Sequence, residues 1–339
     1  MFAVTETAVV LTAVETALEF AENIARPKRE IFARKEIIMA FTAKDVMTLR
    51  DKSGAGMLDC KKALTDADGD MEKAVELLRE RGIAKAVKKE SRIAAEGAVG
   101  AFVCEKCGVG VLLEINCESD FVSKGDKFHG IVDAVAKVVA ENKPADVDAL
   151  LACAMEGGTV KDYITNATAV IGEKIAIRRF EIYETSGKVE TYIHMGGKVG
   201  VMVEAVDFTA GSEETLHDVA LQIAASKPSY VTEAEVPASV IEKEKEIMLV
   251  QMQNDEKNAK KPKEILEKIV MGKIGKFYSE NCLLKQAFVK DDSQTVEQVI
   301  GKKFKVTRFV RWEMGEGIEK KQENLQDEVA KQVEAMKKN

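Results

Sequence analysis

The chain contains few of the residues from which metal sites and disulfide scaffolds are usually built. Its 339 residues include three histidines, six cysteines, five prolines and one tryptophan. Six cysteines are too few for a disulfide scaffold in a chain of this length, so we expect a protein of the reducing cytoplasm. The low proline content and 23 glycines exclude collagen-like and proline-rich disordered sequences.

Long apolar runs are also missing. The longest run without Asp, Glu, Lys or Arg covers ten residues, 163–172, whereas a membrane-spanning helix needs about 20. Glu6 and Glu15 interrupt the N-terminal apolar stretch and no base precedes it, which argues against a secretory signal. With 50 basic and 57 acidic residues the net charge is −7. We therefore expect no membrane partner and no direct nucleic-acid partner.

Familiar catalytic and cofactor motifs are absent from the sequence. There is no GxxxxGK[ST], no GxSxG and no HExxH. Residues 66–70 resemble the start of a calcium loop, but Met71 and Leu77 stand where glycine and glutamate are required. We therefore predict no metal site and no cofactor, and a protein that binds other molecules rather than an enzyme.

Cys104 and Cys107 form a single CxxC pair between two valine-rich runs. A tetrahedral zinc site would need a second pair of ligands, which the sequence does not supply. The pattern favours a β-hairpin turn over a redox or metal site.

Residues 1–38 form an extension rich in Ala, Val, Thr and Glu, with apolar residues at helical spacing. One interpretation is a real helical extension. The other, which we favour, is a misplaced translation start, with Met39 as the true first residue.

Residues 39–94 are predicted to form three short helices and a basic linker helix. Thr42 and Asp45 form a short version of a capping box, and Asp70 caps the third helix. Gly82 is expected to end that helix. Such a bundle is typical of the ubiquitin-associated type and usually serves for docking. The expected buried residues are Val46, Leu49, Met57, Cys60, Leu64, Ala74, Val75, Leu77 and Leu78.

An internal duplication follows. The sequence Val-Gly-Val-Leu-Leu-Glu at 109–114 recurs as Val-Gly-Val-Met-Val-Glu at 199–204, and each copy precedes a helical pattern that ends in Lys-Pro. We predict two tandem ββα subdomains with antiparallel sheets, at 95–188 and 189–235. Residues 171–182 alternate as a strand that should lead into the second copy.

The remainder is predicted to be largely helical. Residues 236–278 have a narrow apolar seam and should form a projecting antiparallel helical hairpin, or coiled coil. Residues 279–339 should complete the core and add a C-terminal helical module. The predicted fold class is thus α+β, with an N-terminal three-helix bundle, a duplicated core, a hairpin and a C-terminal module.

Three ordered segments, at 54–64, 116–122 and 311–319, resemble signatures of the bacterial elongation factor Ts family, and the match extends from about Met39 to the end. The resemblance implies a guanine-nucleotide exchange factor whose partner is elongation factor Tu, in its GDP-bound and nucleotide-free forms. It also implies the same four-part fold. A non-catalytic scaffold or chaperone-like protein is the alternative, and a homodimer through the core or the hairpin stays open.

The resemblance also implies which residues contact the partner. Phe121 would insert between helices of the GTPase domain, and Asp120 would disturb the surroundings of the Mg²⁺ ion. His194 would face the third domain of elongation factor Tu. The alternatives are that Phe121 lies in the core and that His194 is an ordinary strand-end histidine, while Phe208 is expected in the core. The full set is Ser119, Asp120, Phe121, Val122, His194, Val46, Met57 and Leu58.

Overall fold

The computed structural model describes residues 41–155, 157–254 and 262–318. The chain divides into two compact units, one ending at Leu78 and the other beginning at Arg79. The extension 1–38 and most of the predicted C-terminal helix lie outside the described residues, so the predictions for them stay predictions.

The first unit is built from helices whose ends are set by local sequence. Helix α1 is Ala43–Ser53, α2 is Met57–Asp66, and α3, Met71–Val87, begins here. Asp45 N donates to Thr42 Oγ1 at 3.3 Å while Asp45 Oδ2 accepts from Thr42 N at 2.7 Å, which confirms the capping box. Asp70 Oδ1 accepts the first free amides of α3, as predicted.

Two predictions for the third helix are wrong. Val75 is exposed rather than buried. Gly82 does not end the helix, because α3 continues to Val87. The glycine serves close packing instead, since a Cβ there would lie 3.1 Å from the Cβ of Ala169. The bundle core consists of Phe41, Val46, Leu49, Cys60, Ala63, Leu64, Ala67 and Ala74.

The second unit contains two three-stranded antiparallel sheets. The first has the order β1-β2-β5, with β1 at Glu96–Cys104, β2 at Val109–Cys117 and β5 at Ala176–Glu184. The second has the order β10-β7-β6, where β6 is Lys188–His194, β7 is Val199–Val206 and β10 is Lys305–Glu313. Both copies of the repeated sequence thus form the second strand of a hairpin.

The strand predicted at 171–182 is present as β5 and leads along the chain into β6 of the second sheet, as expected. Only its first residue, Ile171, belongs to helix α7 (Val160–Ile171), and the strand begins at Ala176. The strand itself pairs with β2 from Val109↔Glu184 to Asn116↔Ala176, so it completes the first sheet. Periodicity alone could not reveal this, because the pairing partner lies some 65 residues earlier.

Each sheet is covered by a helix on one face. Helix α5, Asp126–Asn142, packs on the first sheet, and α8, Glu213–Ser226, packs on the second. Phe208, predicted to lie in the core, is half-buried at its edge, where its ring stacks on that of Phe304 at 5.6 Å between centroids. Shorter elements join them: α4 (Asp120–Ser123), α6 (Val147–Ala152), β3 (Ala154–Met155) and β4 (Gly158–Thr159).

The two sheets share a buried layer through their other faces. Val99, Leu112, Tyr183, Val189, Met202 and Trp312 form it. Its contacts are reciprocal between the copies: a Cβ on Gly110 would overlap Val189 Cγ1, and a Cβ on Gly200 would overlap Val99 Cγ1. The glycines therefore let the two hairpins approach closely.

The chain then leaves and rejoins this core. Helix α9, Ala238–Gln253, packs on α10, Lys263–Asn281, through Met252, Leu266, Val270 and Ile274. Most of the predicted turn between them lies outside the described residues. Strands β8 (Ala287–Phe288) and β9 (Asp291–Thr295) and helix α11 (Val296–Ile300) lead into β10. Helices combined with antiparallel sheets confirm the α+β class.

Candidate functional site

The candidate site begins where β2 ends. Ser119 caps the short helix α4, and Val122 N donates to Ser119 Oγ at 3.4 Å. Ser119 is also attached to Glu173, which lies two residues beyond the end of α7. Its backbone N donates to Glu173 Oε2 at 2.9 Å and its Oγ donates to Glu173 Oε1 at 2.6 Å. The loop is therefore fixed at its base by a carboxylate that holds two donors at once.

Phe121 points out of this fixed loop. Its side chain is 86% exposed, the largest exposure among the large apolar residues of the described chain. The neighbouring Val122 instead packs against the core beneath the first sheet. The alternative interpretation, in which Phe121 belongs to the core, is therefore wrong.

Asp120 stands beside Phe121 as an ionised group. Its Oδ2 lies 2.6 Å from Lys124 Nζ, one turn along. The hydrogen bond from Lys124 lowers the pKa of Asp120, and the positive charge of Lys198 lowers it further. Because both partners of this ion pair are largely exposed, a cation or donor on a binding partner could replace Lys124 at little cost.

Lys198, whose charge acts on Asp120, belongs to a second loop close to the Phe121 loop. Lys198 belongs to the turn between β6 and β7, and Gly197 O in that turn accepts from Val99 N of β1 at 2.8 Å. A Cβ on Gly197 would lie 2.6 Å from the Cβ of Ala98, so the turn packs directly on β1. The turn and the Phe121 loop are thus at the same end of the two sheets.

His194 is the last residue of β6, and Met195 is the first residue of this turn. Met195 is 65% exposed, with φ of 49° at a non-glycine position. Tyr192 Oη is 2.9 Å from His194 Nδ1. The Tyr192 ring in turn packs edge-on against His217 at 5.8 Å, and His217 Nδ1 lies 2.9 Å from Glu190 Oε1. The His194 side chain is exposed to solvent, and its contact with Tyr192 holds the ring in place.

A buried carboxylate attaches the C-terminal signature segment to the same sheet. Glu114 accepts hydrogen bonds from Arg178 Nη1 at 2.8 Å, Arg179 Nε at 2.7 Å and Gly315 N at 2.8 Å. Burial raises the pKa of Glu114, but these three donors outweigh it and hold the pKa below its usual range. Arg178 also donates to Glu316 O. Gly315 and Glu316 are thereby held beside the first sheet.

The second copy repeats this arrangement. Glu204, the counterpart of Glu114, accepts from Arg308 Nε at 2.7 Å and Thr307 Oγ1 at 2.8 Å. Arg179 stacks on Trp312 at 4.4 Å, and Arg308 stacks on Tyr183 at 4.0 Å. Each copy's arginine thus rests on an aromatic ring from the other sheet.

The remaining predicted site residues belong to the first unit. Val46 is part of the bundle core, whereas Leu58 is 83% exposed. Met57 is also exposed, so the prediction that it is buried is wrong. Met47, which the sequence analysis did not select, is also exposed. The structure therefore brings Ser119, Asp120, Phe121, Val122 and His194 to one end of the second unit, while the other three lie in the first.

Sequence reasoning missed Met195 and Glu173. Met195 could have been found, because a methionine followed by two glycines in a predicted turn is expected to be exposed. Glu173 could not, because its contact with Ser119 joins residues 54 positions apart.

Two further properties concern the described ranges as a whole. No cluster of three or more His, Cys, Asp or Glu side chains there could hold a metal ion. None of the helices in those ranges is both long and apolar enough to cross a bilayer.

Comparison with known proteins assigns the chain to a family. A model of the family described as Elongation factor TS matches residues 118–316. An elongation factor Ts of Alkalilimnicola ehrlichii is 48% identical over 297 residues, covering 87% of this chain and 99% of the relative. One of Clostridium perfringens is 47% identical over 301 residues, covering 86% and 98%. One of Nitratiruptor sp. is 45% identical over 308 residues, covering 87% and 100%.

These matches place the chain in the class of translation elongation factors. Within that class, the chain belongs to the elongation factor Ts family.

Proposed function

We propose that this protein is a cytoplasmic guanine-nucleotide exchange factor for elongation factor Tu. It binds the GDP-bound form, promotes release of GDP and stabilises the nucleotide-free form until GTP binds. The observation that carries the proposal is Phe121, a large apolar side chain presented to solvent by a loop whose base is fixed.

The energetics require a protein that prefers the nucleotide-free state. An exchange factor shifts the nucleotide equilibrium only by its difference in affinity between the two states. Phe121 supplies such a difference if its pocket, between helices of the GTPase domain, opens only as GDP leaves. Because Ser119 and Glu173 already hold the loop, little conformational entropy is lost when Phe121 binds.

Asp120 would act on the metal side of the same nucleotide site. An aspartate is ionised at neutral pH, and the hydrogen bond from Lys124 favours that state further by lowering the pKa of Asp120. A negative charge brought next to the ligands of Mg²⁺ disturbs their arrangement and weakens the hold on the phosphates. Lys124 keeps this charge compensated until the partner arrives.

Other surfaces would add affinity without touching the nucleotide. His194, with Met195 beside it, would contact the third domain of elongation factor Tu. In the first unit, a ubiquitin-associated-like bundle, Met57 and Leu58 would form the docking surface, with Val46 supporting them from the core. The paired helices α9 and α10 would form the projecting coiled coil. No covalent step and no cofactor is needed, so the protein is not an enzyme in the covalent sense.

The test is the release of a fluorescent GDP analogue from elongation factor Tu of the same organism. We expect this protein to accelerate release when it is present at a small fraction of the concentration of its partner. Binding without acceleration would contradict the proposal and favour the scaffold or chaperone-like alternative.

A further inference from the structure

The turn between β1 and β2 carries a cysteine pair that the proposed function does not use. The two strands pair from Glu96↔Cys117 to Cys104↔Val109. With nine residues in each strand, the turn lies about 30 Å from the end of β2 that leads to Phe121. In the structure the sulfurs of Cys104 and Cys107 are bonded to each other.

The backbone of the turn holds the two cysteines at a distance that suits a disulfide. Cys107 N donates to Cys104 O at 3.1 Å, and Thr185 N donates to Gly108 O at 2.9 Å, which attaches the turn to the end of β5. The Cα atoms are 5.3 Å apart, within the range of about 4.4–6.8 Å that disulfides adopt. Since these hydrogen bonds involve only the backbone, the dithiol form can keep the same turn.

The two sulfurs differ in access to solvent. Cys107 is exposed, whereas Cys104 is half-buried and packs against the core of the first sheet. This difference gives each a separate part in exchange chemistry, because an incoming reagent reaches Cys107 first.

The other four cysteines are all free and poorly placed to compete. Cys60, Cys117 and Cys282 are buried, and Cys153 is half-buried with its Sγ directed at Ala149 O at 3.4 Å. Burial raises the pKa of Cys117 to about 12, so its reactive thiolate is scarce at neutral pH. Chemistry at sulfur should therefore be selective for the turn.

We propose that Cys104 and Cys107 form a reversible dithiol–disulfide pair that exchanges with low-molecular-weight disulfides of the glutathione type. The Cys107 thiolate attacks one sulfur of the incoming disulfide, forms a mixed disulfide and expels the first thiolate. The Cys104 thiolate then attacks Cys107 Sγ, closes the intramolecular bond and expels the second thiolate. Two electrons pass from the pair to the incoming disulfide, and the two thiol protons go to solvent.

The experiment equilibrates the full chain in buffers of graded reduced-to-oxidised glutathione ratio. Acid quenching, alkylation under denaturing conditions, tryptic digestion and mass spectrometry follow. Lys106 lies between the two cysteines, so trypsin separates them in the dithiol form and leaves two linked peptides in the disulfide form. As the buffer becomes more oxidising, we expect alkylation of Cys104 and Cys107 to disappear together, in one two-electron transition. Cys117 should be alkylated at every glutathione ratio.

Single variants test the assigned order of attack. Cys104→Ser should leave Cys107 carrying one glutathione, because the resolving thiol is missing. Cys107→Ser should acquire glutathione at least about tenfold more slowly, since Cys104 is half-buried. Equal rates in the two variants would contradict the order of attack.

Two results would overturn the proposal. One is that both cysteines keep their labels in fully oxidised glutathione. The other is that the undigested oxidised protein has the mass of two chains, which would show that the disulfide joins different chains. GDP release should be the same for the dithiol and disulfide forms, because the pair is far from Phe121. Disulfide formation is measured by mass spectrometry, so the proposal for the cysteines can be confirmed or refuted whatever the GDP-release assay shows.

Discussion

At the scale of single residues, Glu114 and its counterpart Glu204 connect the architecture to the site. A carboxylate taken out of water is costly unless it is paired and hydrogen-bonded. Glu114 meets this condition with two arginines and the amide of Gly315, and Glu204 meets it with Arg308 and Thr307. Removing Glu114 would leave the buried amide of Gly315 and the half-buried Arg178 and Arg179 without their acceptor, whereas the partners of Glu204 are open to solvent.

We predict that Glu114→Ala lowers the free energy of unfolding by about 3 kcal/mol, because it leaves a buried ion pair with only its positive partners. Urea unfolding of the full chain measures this. The matched control is Glu184→Ala on β5, whose partner Lys143 is on the surface, and there we expect a loss below about 1 kcal/mol. Equal losses in the two variants would show that Glu114 has no special structural role.

The lowered pKa of Glu114 predicts an acid dependence of stability. A glutamate whose pKa is lower when folded stabilises the protein fully above its unfolded pKa of about 4.3 and loses that contribution as pH falls through the folded value. The stability gap between wild type and Glu114→Gln should therefore be constant from pH 7 to about 5 and shrink below about 4. Urea unfolding at a series of pH values measures it, and a gap that widens in acid would contradict the assignment.

At the scale of elements, the short helix α4 depends on the end of α7. Gly172, with φ of 86°, ends α7 and places Glu173 where it reaches Ser119. Lys174 N donates to Glu118 Oε1 at 2.6 Å, so two consecutive residues after α7 hold two consecutive residues after β2. The loop that presents Phe121 is thus positioned by an element distant in sequence.

We predict that Glu173→Ala slows GDP release by about three- to tenfold and increases amide hydrogen exchange at residues 119–123, because it removes both hydrogen bonds that hold Ser119. Glu173→Gln keeps an acceptor oxygen and should restore part of both properties. The loss of global stability should stay near 1–3 kcal/mol, about that of two hydrogen bonds. If Glu173→Ala increased amide exchange in the loop but released GDP as fast as wild type, the hydrogen bonds to Ser119 would have no role in exchange activity.

At the scale of the whole described core, the duplication determines how closely the two sheets pack. Gly110 and Gly200 occupy equivalent positions, and each faces the valine of the other copy. Overpacking a core by a methyl group typically costs about 1–3 kcal/mol. The reciprocal glycines are therefore requirements of the fold rather than flexible points.

We predict that Gly110→Ala destabilises the protein by about 1–3 kcal/mol through overlap with Val189. The double variant Gly110→Ala/Val189→Ala should recover part of this loss. Gly130→Ala is the control: it lies on α5 with nothing within 4 Å of the new Cβ, so a gain of about 0.5–1 kcal/mol is expected. Thermal unfolding of the four proteins measures the set, and a neutral Gly110→Ala would mean that the sheets can move apart.

Much of this architecture could be predicted from sequence where its causes are local. The capping box at Thr42, the Asp70 cap and the hairpin turn at Cys104 depend on residues a few positions apart. The duplication was visible because its two copies share a pattern. The pairing of β5 with β2, the burial of Glu114 and the Glu173 anchor were not predictable, because each depends on residues brought together only by folding. The prediction that Gly82 ends α3 was wrong because a glycine in a helical sequence can either end the helix or allow close packing, and here it packs close to Ala169.

The role of Phe121 in nucleotide release is tested by comparing Phe121→Ala with Val289→Ala in the GDP-release assay. Val289 is also an exposed apolar residue, but it lies between β8 and β9. We predict that Phe121→Ala accelerates release at least about tenfold less than wild type, as expected for a central anchor of an interface. Its thermal stability should be unchanged, and Val289→Ala should behave as wild type. A Phe121→Ala protein that exchanges nucleotide as fast as wild type would contradict the central claim.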